Sequence, residues 1–194
     1  MVLKNLLKSI IICYSLPNYD KLTDIFIKSL LSLGVNKLNI NIIKNNNFWD
    51  VLETYKNNNK YEYFIYSECD IYFLQNNKDE WNNLEKYINN NNHDIYFMED
   101  KRNINKRFFI IKNNKNISSI ISFFKNNKND INYGTIPKQY IINGIKIFNE
   151  NKSLIQYTYG NNITDKLEQI KYIMEHFNLK NLKNLKNPKE KKKN

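Results

Sequence analysis

The strongest constraint on this chain is a rhythm in its first third. Short runs of β-branched and aromatic residues alternate with longer stretches whose apolar residues recur at helical spacing. Ser9–Ser15, SIIICYS, reads as a buried strand, and Pro17 and Asn18 turn it. Lys21–Leu33 sets Leu22, Ile25, Phe26, Leu30 and Leu33 at helical spacing, with Gly34 as its C-cap. Leu38–Ile43 is a second strand, and Phe48–Tyr55 a short amphipathic helix with Asp50 in its first turn. Tyr61–Tyr66 is a third strand. The order β-α-β-α-β predicts a parallel sheet joined by crossover helices.

The rest of the chain continues the alternation. Trp81–Ile88 and Ile117–Phe124 read as helices, and His93–Met98 and Phe108–Ile111 as strands. Gly134–Pro137 reads as a turn, with Pro137 near the start of a helix that reaches Phe148. Ser153–Tyr159 is a strand, and Thr164–Phe177 a helix with Thr164 as its cap. The Leu-Lys-Asn triplets at 179–187 have period three, which suits neither helix nor strand. With 194 residues, the chain is long enough for one sizeable core. The reading is one α/β domain over residues 1–178, followed by a disordered Lys/Asn-rich tail over 179–194.

The acidic stretch sits where that sheet would present it. Phe64-Ile65-Tyr66 is a buried-strand run, and it ends in Ser67-Glu68-Cys69-Asp70 before apolar character returns at Ile71-Tyr72-Phe73. Two carboxylates beside a core need a compensating cation or donors. Mg²⁺ is bound by one or two carboxylates plus phosphate oxygens, so a divalent metal carrying substrate phosphates would compensate both. The carboxyl ends of strands in open α/β sheets are also where such ligands bind.

Charge narrows the class further. The net charge of +11 is almost wholly lysine, with arginine only at 102 and 107. Residues 180–194 alone hold seven lysines and one glutamate, which leaves the body mildly basic. Nucleic-acid surfaces favour arginine for bidentate contacts, so this distribution argues against nucleic acid as the partner. The tail reads as a solubilising segment; the sharper reading is contact with an anionic surface. Two cysteines, Cys13 and Cys69, make no disulfide framework and suit a reducing compartment. No run approaches the roughly 18 apolar residues of a membrane span. The expectation is a soluble cytoplasmic protein.

The order of these segments resembles the nucleotide-diphospho-sugar transferases, glycosyltransferases of the GT-A fold. The resemblance runs from about Ser9 to about Tyr159. Its pieces are SIIICYSLPNYD, DIFIKSLLSLG with NKLNINII, FIYSECDIYFLQN, HDIYFMED, RFFIIKNNKNISSIISFF and KQYIING. The third is similar to the acidic metal motif of that family, commonly Asp-x-Asp; the last is similar to a Gln-x-x-x-Asn signature on a later helix. The resemblance implies a Rossmann-like, mixed and mostly parallel sheet flanked by helices. It implies an enzyme that moves a sugar from a UDP- or GDP-sugar to an acceptor, with Mn²⁺ or Mg²⁺ bridging the donor phosphates. Carried over by position, Asp70 and Glu68 would hold the metal, with Glu68 also placed to contact ribose. Leu16, Pro17 and Asn18 would face the nucleotide, and Gln139 and Asn143, four apart on one helical face, would contact donor or acceptor sugar. The metal would act as a Lewis acid on the departing diphosphate.

The chain departs from that pattern in three places. Glu68 replaces the first Asp, Asn105-Lys106-Arg107-Phe108 lacks the glycine of an Asn-x-Gly-Phe-like element, and no His follows at residues 155–159. Glu99 and Asp100 close the Asp94–Met98 strand and are the candidates for a general base or acceptor contact. Trp49 and Trp81 read as packing residues, His93 as a strand start without a chemical role and His176 as a surface helix residue. A second reading keeps the fold and loses turnover, leaving binding alone.

Overall fold

The computed structural model describes residues 8–74, 78–100, 103–127, 142–145, 155–158 and 162–186. Its strands are β1 (Ser9–Tyr14), β2 (Ile40–Ile43), β3 (Tyr63–Glu68), β4 (Ile71–Phe73), β5 (Ile95–Asp100), β6 (Asn103–Lys112), β7 (Ile142–Ile145) and β8 (Ile155–Tyr157). Its helices are α1 (Asp20–Ser32), α2 (Phe48–Tyr55), α3 (Lys78–Asn90), α4 (Ile117–Asn126) and α5 (Ile163–Lys186).

Six strands form one sheet in the order β2-β1-β3-β6-β5-β7, and β4 pairs with β8 in a separate ribbon. The β-α-β-α-β rhythm folds as expected: β1 runs parallel to both β2 and β3. Only β6 opposes its neighbours, lying antiparallel between β3 and β5, while β7 is again parallel to β5. The carboxyl ends of β1, β3 and β5 therefore share one edge of the sheet.

Alternation along the strands separates two cores. Ile11, Cys13, Tyr63, Ile65, Phe108 and Ile110 pack with Leu22, Phe26 and Leu30 of α1, Trp81 and Ile88 of α3, and Ile170 of α5. Ile10, Ile12, Phe64, Phe97, Phe109 and Ile111 pack with Phe48 and Leu52 of α2 and with Ile117, Ile120, Ile121 and Phe124 of α4. The period of two puts neighbours on opposite faces, so each strand serves both layers. Both tryptophans pack as expected. Trp81 stacks on Phe73 at 5.9 Å between ring centres, and Trp49 stacks on Phe124 at 4.5 Å.

Local chemistry sets the helix ends. Asn47 Oδ1 accepts from the Trp49 amide and starts α2. Gly34, at φ 88°, closes α1: its N–H donates to Leu31 O and that of Val35 to Leu30 O, the paired bonds of a Schellman turn.

Four expectations need correction. Leu38 is not a strand residue. Asn36 accepts from the Leu38 amide and starts a short 3-10 turn over Lys37–Asn39, which leaves Leu38 80% exposed. The helix expected from Pro137 to Phe148 is a strand at Ile142–Ile145, where the β-branched isoleucines and the helix-weakening Gly144 pair alongside β5. Asn162, not Thr164, caps α5, by accepting from the Asp165 amide. Helix α5 also continues to Lys186, through the triplets read as the start of a disordered tail; residues 187–194 lie outside the described residues. Among the described residues, no helix is long and apolar enough to cross a membrane.

Candidate active site

The turn after β1 is built by its own sequence. The Tyr19 N–H donates to Leu16 O at 3.1 Å, Pro17 takes the second position, and Asn18 sits at φ 69°. Proline second and a positive φ third are the signature of a type II turn, and Asn tolerates that region better than most residues. Leu16, Pro17 and Asn18 are exposed as a result. Behind them, the buried Ser15 and Thr23 hydroxyls share a 2.7 Å hydrogen bond that ties strand end to helix start.

The acidic stretch adjoins this turn. Glu68 pairs in register with Tyr14, and the Cys69 N–H donates to Tyr14 O at 3.0 Å. Asp70 follows at the bend between β3 and β4, where its carbonyl accepts from the Thr158 N–H at 3.1 Å. The two carboxylates differ in exposure. The Asp70 side chain is 2% exposed, and that of Glu68 34%.

Two cations reach this pair from distant elements. Arg107 on β6 places Nε 3.6 Å from Glu68 Oε2 and Nη1 3.4 Å from Asp70 Oδ2, while Nη1 also donates to Thr158 O at 3.0 Å. Lys166 on α5 places Nζ 2.5 Å from Asp70 Oδ2 and 5.3 Å from the centre of the Tyr19 ring. Tyr19 thus links the Leu16–Asn18 turn to the acidic pair. Burial, then the neighbouring Asp70 charge, pushes the Glu68 carboxyl above its ordinary range, against the pull of Arg107 and Lys166.

Asp70 Oδ1 is buried and accepts no hydrogen bond from any described group; Thr158 Oγ1 is likewise buried and unpaired. The residues that carry these two atoms are joined by the Thr158–Asp70 backbone bond. A buried carboxylate oxygen without a donor is costly and points to a missing cation, donor or water. Its position beside a half-exposed Glu68 fits a divalent ion held by two carboxylates and completed by phosphate oxygens and water. No set of three His, Cys, Asp or Glu residues exists among the described residues to hold a metal unaided.

The other expected residues fall as follows. Glu99 and Asp100 close β5 at the same sheet edge as Glu68, with β6 between, and pair in register with Ile104 and Asn103. Asn143 lies on β7 opposite Tyr96, so it is not on a helix with Gln139, which lies outside the described residues. Cys13 and Cys69 are buried, and burial raises both thiols, so neither is poised as a nucleophile. The His93 ring packs near Tyr87 and Tyr96.

Sequence reading missed Arg107, Lys166, Thr158 and Tyr19. Arginine scarcity was the available signal for Arg107, since the chain has only one other. For Lys166 the signal was a cation in the first turn of a helix, where the dipole disfavours it.

No family model matches the sequence, and no curated protein matches it. Among solved structures, the chain is similar to a glycosyltransferase involved in the glycosylation of the major capsid of PBCV-1. The TM-score is 0.54 at 13% identity, covering 84% of this chain and 99% of that one. It is also similar to the glycosyltransferase GlyE of Streptococcus pneumoniae TIGR4, with a TM-score of 0.44 at 8% identity over 72% of this chain and 46% of GlyE. The apo form of GlyE gives a TM-score of 0.40 at 9% identity, over 70% and 45%. The first of these similarities establishes the fold: a mixed, mostly parallel α/β sheet of the GT-A-like kind, shared with a solved glycosyltransferase over nearly the whole of that protein.

Proposed function

We propose that the protein is a metal-dependent glycosyltransferase that moves a sugar from a nucleotide-diphosphate sugar to an acceptor. One observation carries the reading. A buried Asp70 carboxylate, with one oxygen unpaired among the described residues, stands at the end of a central strand beside the turn that follows β1. That edge of an open α/β sheet is where nucleotide ligands bind.

In this reading Asp70 and Glu68 hold Mn²⁺ or Mg²⁺, which when bound supplies Lewis-acid stabilisation to the departing diphosphate. The exposed Leu16–Asn18 turn receives the nucleotide, and Glu68, in register with Tyr14, meets its ribose. Arg107, which contacts both carboxylates, holds them in place. Glu99 or Asp100 takes the proton of the incoming acceptor hydroxyl. Gln139 and Asn143 contact sugar hydroxyls through their amides.

The test is a thermal-shift screen of UDP- and GDP-sugars with and without Mn²⁺. The reading expects a metal-dependent rise in Tm with at least one donor, abolished in Asp70→Asn. No shift with any donor would overturn it. Donor hydrolysis by the same protein separates a transferase from a protein that only binds.

A further inference from the structure

The Glu68–Asp70 pair already has two cations supplied by the chain. Arg107 lies against both carboxylates, and Lys166 lies against Asp70 with its side chain only 10% exposed. Among the described residues, two negative and two positive charges cancel. A free divalent ion therefore meets a neutral cluster, and so does a free diphosphate.

Lys166 is poorly placed for any purpose local to its helix. Helix α5 starts at Ile163, so Lys166 stands in its first turn, where unpaired N–H groups present partial positive charge. Burial there adds a desolvation cost that only a nearby anion offsets. The turn is held firmly: Asn162 Oδ1 accepts from the Asp165 N–H at 2.9 Å, and Asn162 Nδ2 donates to Asp165 Oδ2 at 2.8 Å. The backbone is fixed while the long lysine stem keeps its rotatable bonds. The ammonium lies on Asp70 Oδ2, and the other oxygen of the same carboxylate has no partner among the described residues.

We propose that Lys166 is a tethered counter-ion that occupies the cation position at Asp70 until a divalent metal and a diphosphate enter together and displace it. The proposal rests on the metal-dependent reading above and gives it a regulatory element. Metal and nucleotide then bind with strong mutual dependence, because each supplies the charge that the neutral cluster denies the other.

The experiment is Mn²⁺ binding to the full chain, followed by electron paramagnetic resonance, with and without UDP or GDP. Wild type is expected to bind Mn²⁺ weakly alone and about tenfold or more tighter with nucleotide. Lys166→Met removes the resident charge and is expected to bind Mn²⁺ alone about tenfold tighter than wild type. Lys166→Gln removes the same charge but keeps a donor toward Asp70, and decides the matter if the Met variant does not fold. In Lys166→Gln/Asp70→Asn the gain should vanish. Equal Mn²⁺ affinity in wild type and Lys166→Gln, with loss in Asp70→Asn, overturns the counter-ion and leaves the metal reading standing. Absence of Mn²⁺ binding in every protein, with or without nucleotide, overturns both.

Discussion

The Lys166 ammonium lies 2.5 Å from Asp70 Oδ2, joining residues 96 positions apart. Both side chains are buried, so removing Asp70 strands the lysine charge, and removing Lys166 leaves Asp70 to Arg107. Asp70→Asn and Lys166→Met should each destabilise the fold by about 3 kcal/mol. The double variant should cost clearly less than the sum, because it buries no unpaired ion. Urea unfolding of the four proteins measures the coupling; strict additivity would show that the pair does not act as one.

Arg107 reaches three acceptors on different elements: Glu68, Asp70 and the carbonyl of Thr158. A lysine keeps the charge but not the planar fork. Arg107→Lys should therefore lower stability by about 1–2 kcal/mol through lost hydrogen bonds. It should also reduce the donor-induced shift in Tm. A variant equal to wild type in both would mean that charge alone is needed there.

Glu68 titrates above its ordinary range because burial and Asp70 disfavour its charged form. The folded state then holds that proton more tightly than the unfolded chain does. The associated stability is complete at pH values below the unfolded pKa. It is lost as pH rises from there through the raised folded value. Glu68→Gln removes this loss, so the variant should match or exceed wild-type stability at neutral pH while binding donor more weakly. Chemical unfolding midpoints between pH 4 and pH 8 test the sign; a variant that loses stability progressively toward pH 8 relative to wild type would refute it.

The first half of the fold was legible because its signals are local. Helix α2 begins and ends where its periodicity does, since Asn47 and the apolar stripe agree. Leu38 misled because counting apolar residues ignores the Asn36 side chain, which captures the Leu38 amide and turns the chain. The Ile142–Ile145 strand misled because Pro137 signals a helix start, which overrode the strand preference of the isoleucines and the helix-weakening Gly144 that pair alongside β5. That the acidic pair needs compensation was legible, because carboxylates at a strand end demand it. Its compensating residues were not, because Arg107 and Lys166 lie 37 and 96 positions from Asp70, and nothing near Asp70 names them.

Gly34 offers a test away from the site. Its φ of 88° closes α1 beside the turn that precedes β2. Alanine at a positive φ costs about 1 kcal/mol. Gly34→Ala should lower the unfolding free energy by that amount, read from denaturant titration, and leave nucleotide binding unchanged. A neutral result would mean that the helix end can adopt another closure.

The separation of Asp70 from Lys166 also orders events at the ribosome. At about 5–20 residues per second, the acidic turn leaves the exit tunnel roughly 5–20 seconds before the lysine that neutralises it. During that interval Arg107, which emerges earlier, is the described cation against Asp70, and the second one is still missing. Burial of this corner therefore waits for α5, and that helix acts as the latch that commits the nascent domain.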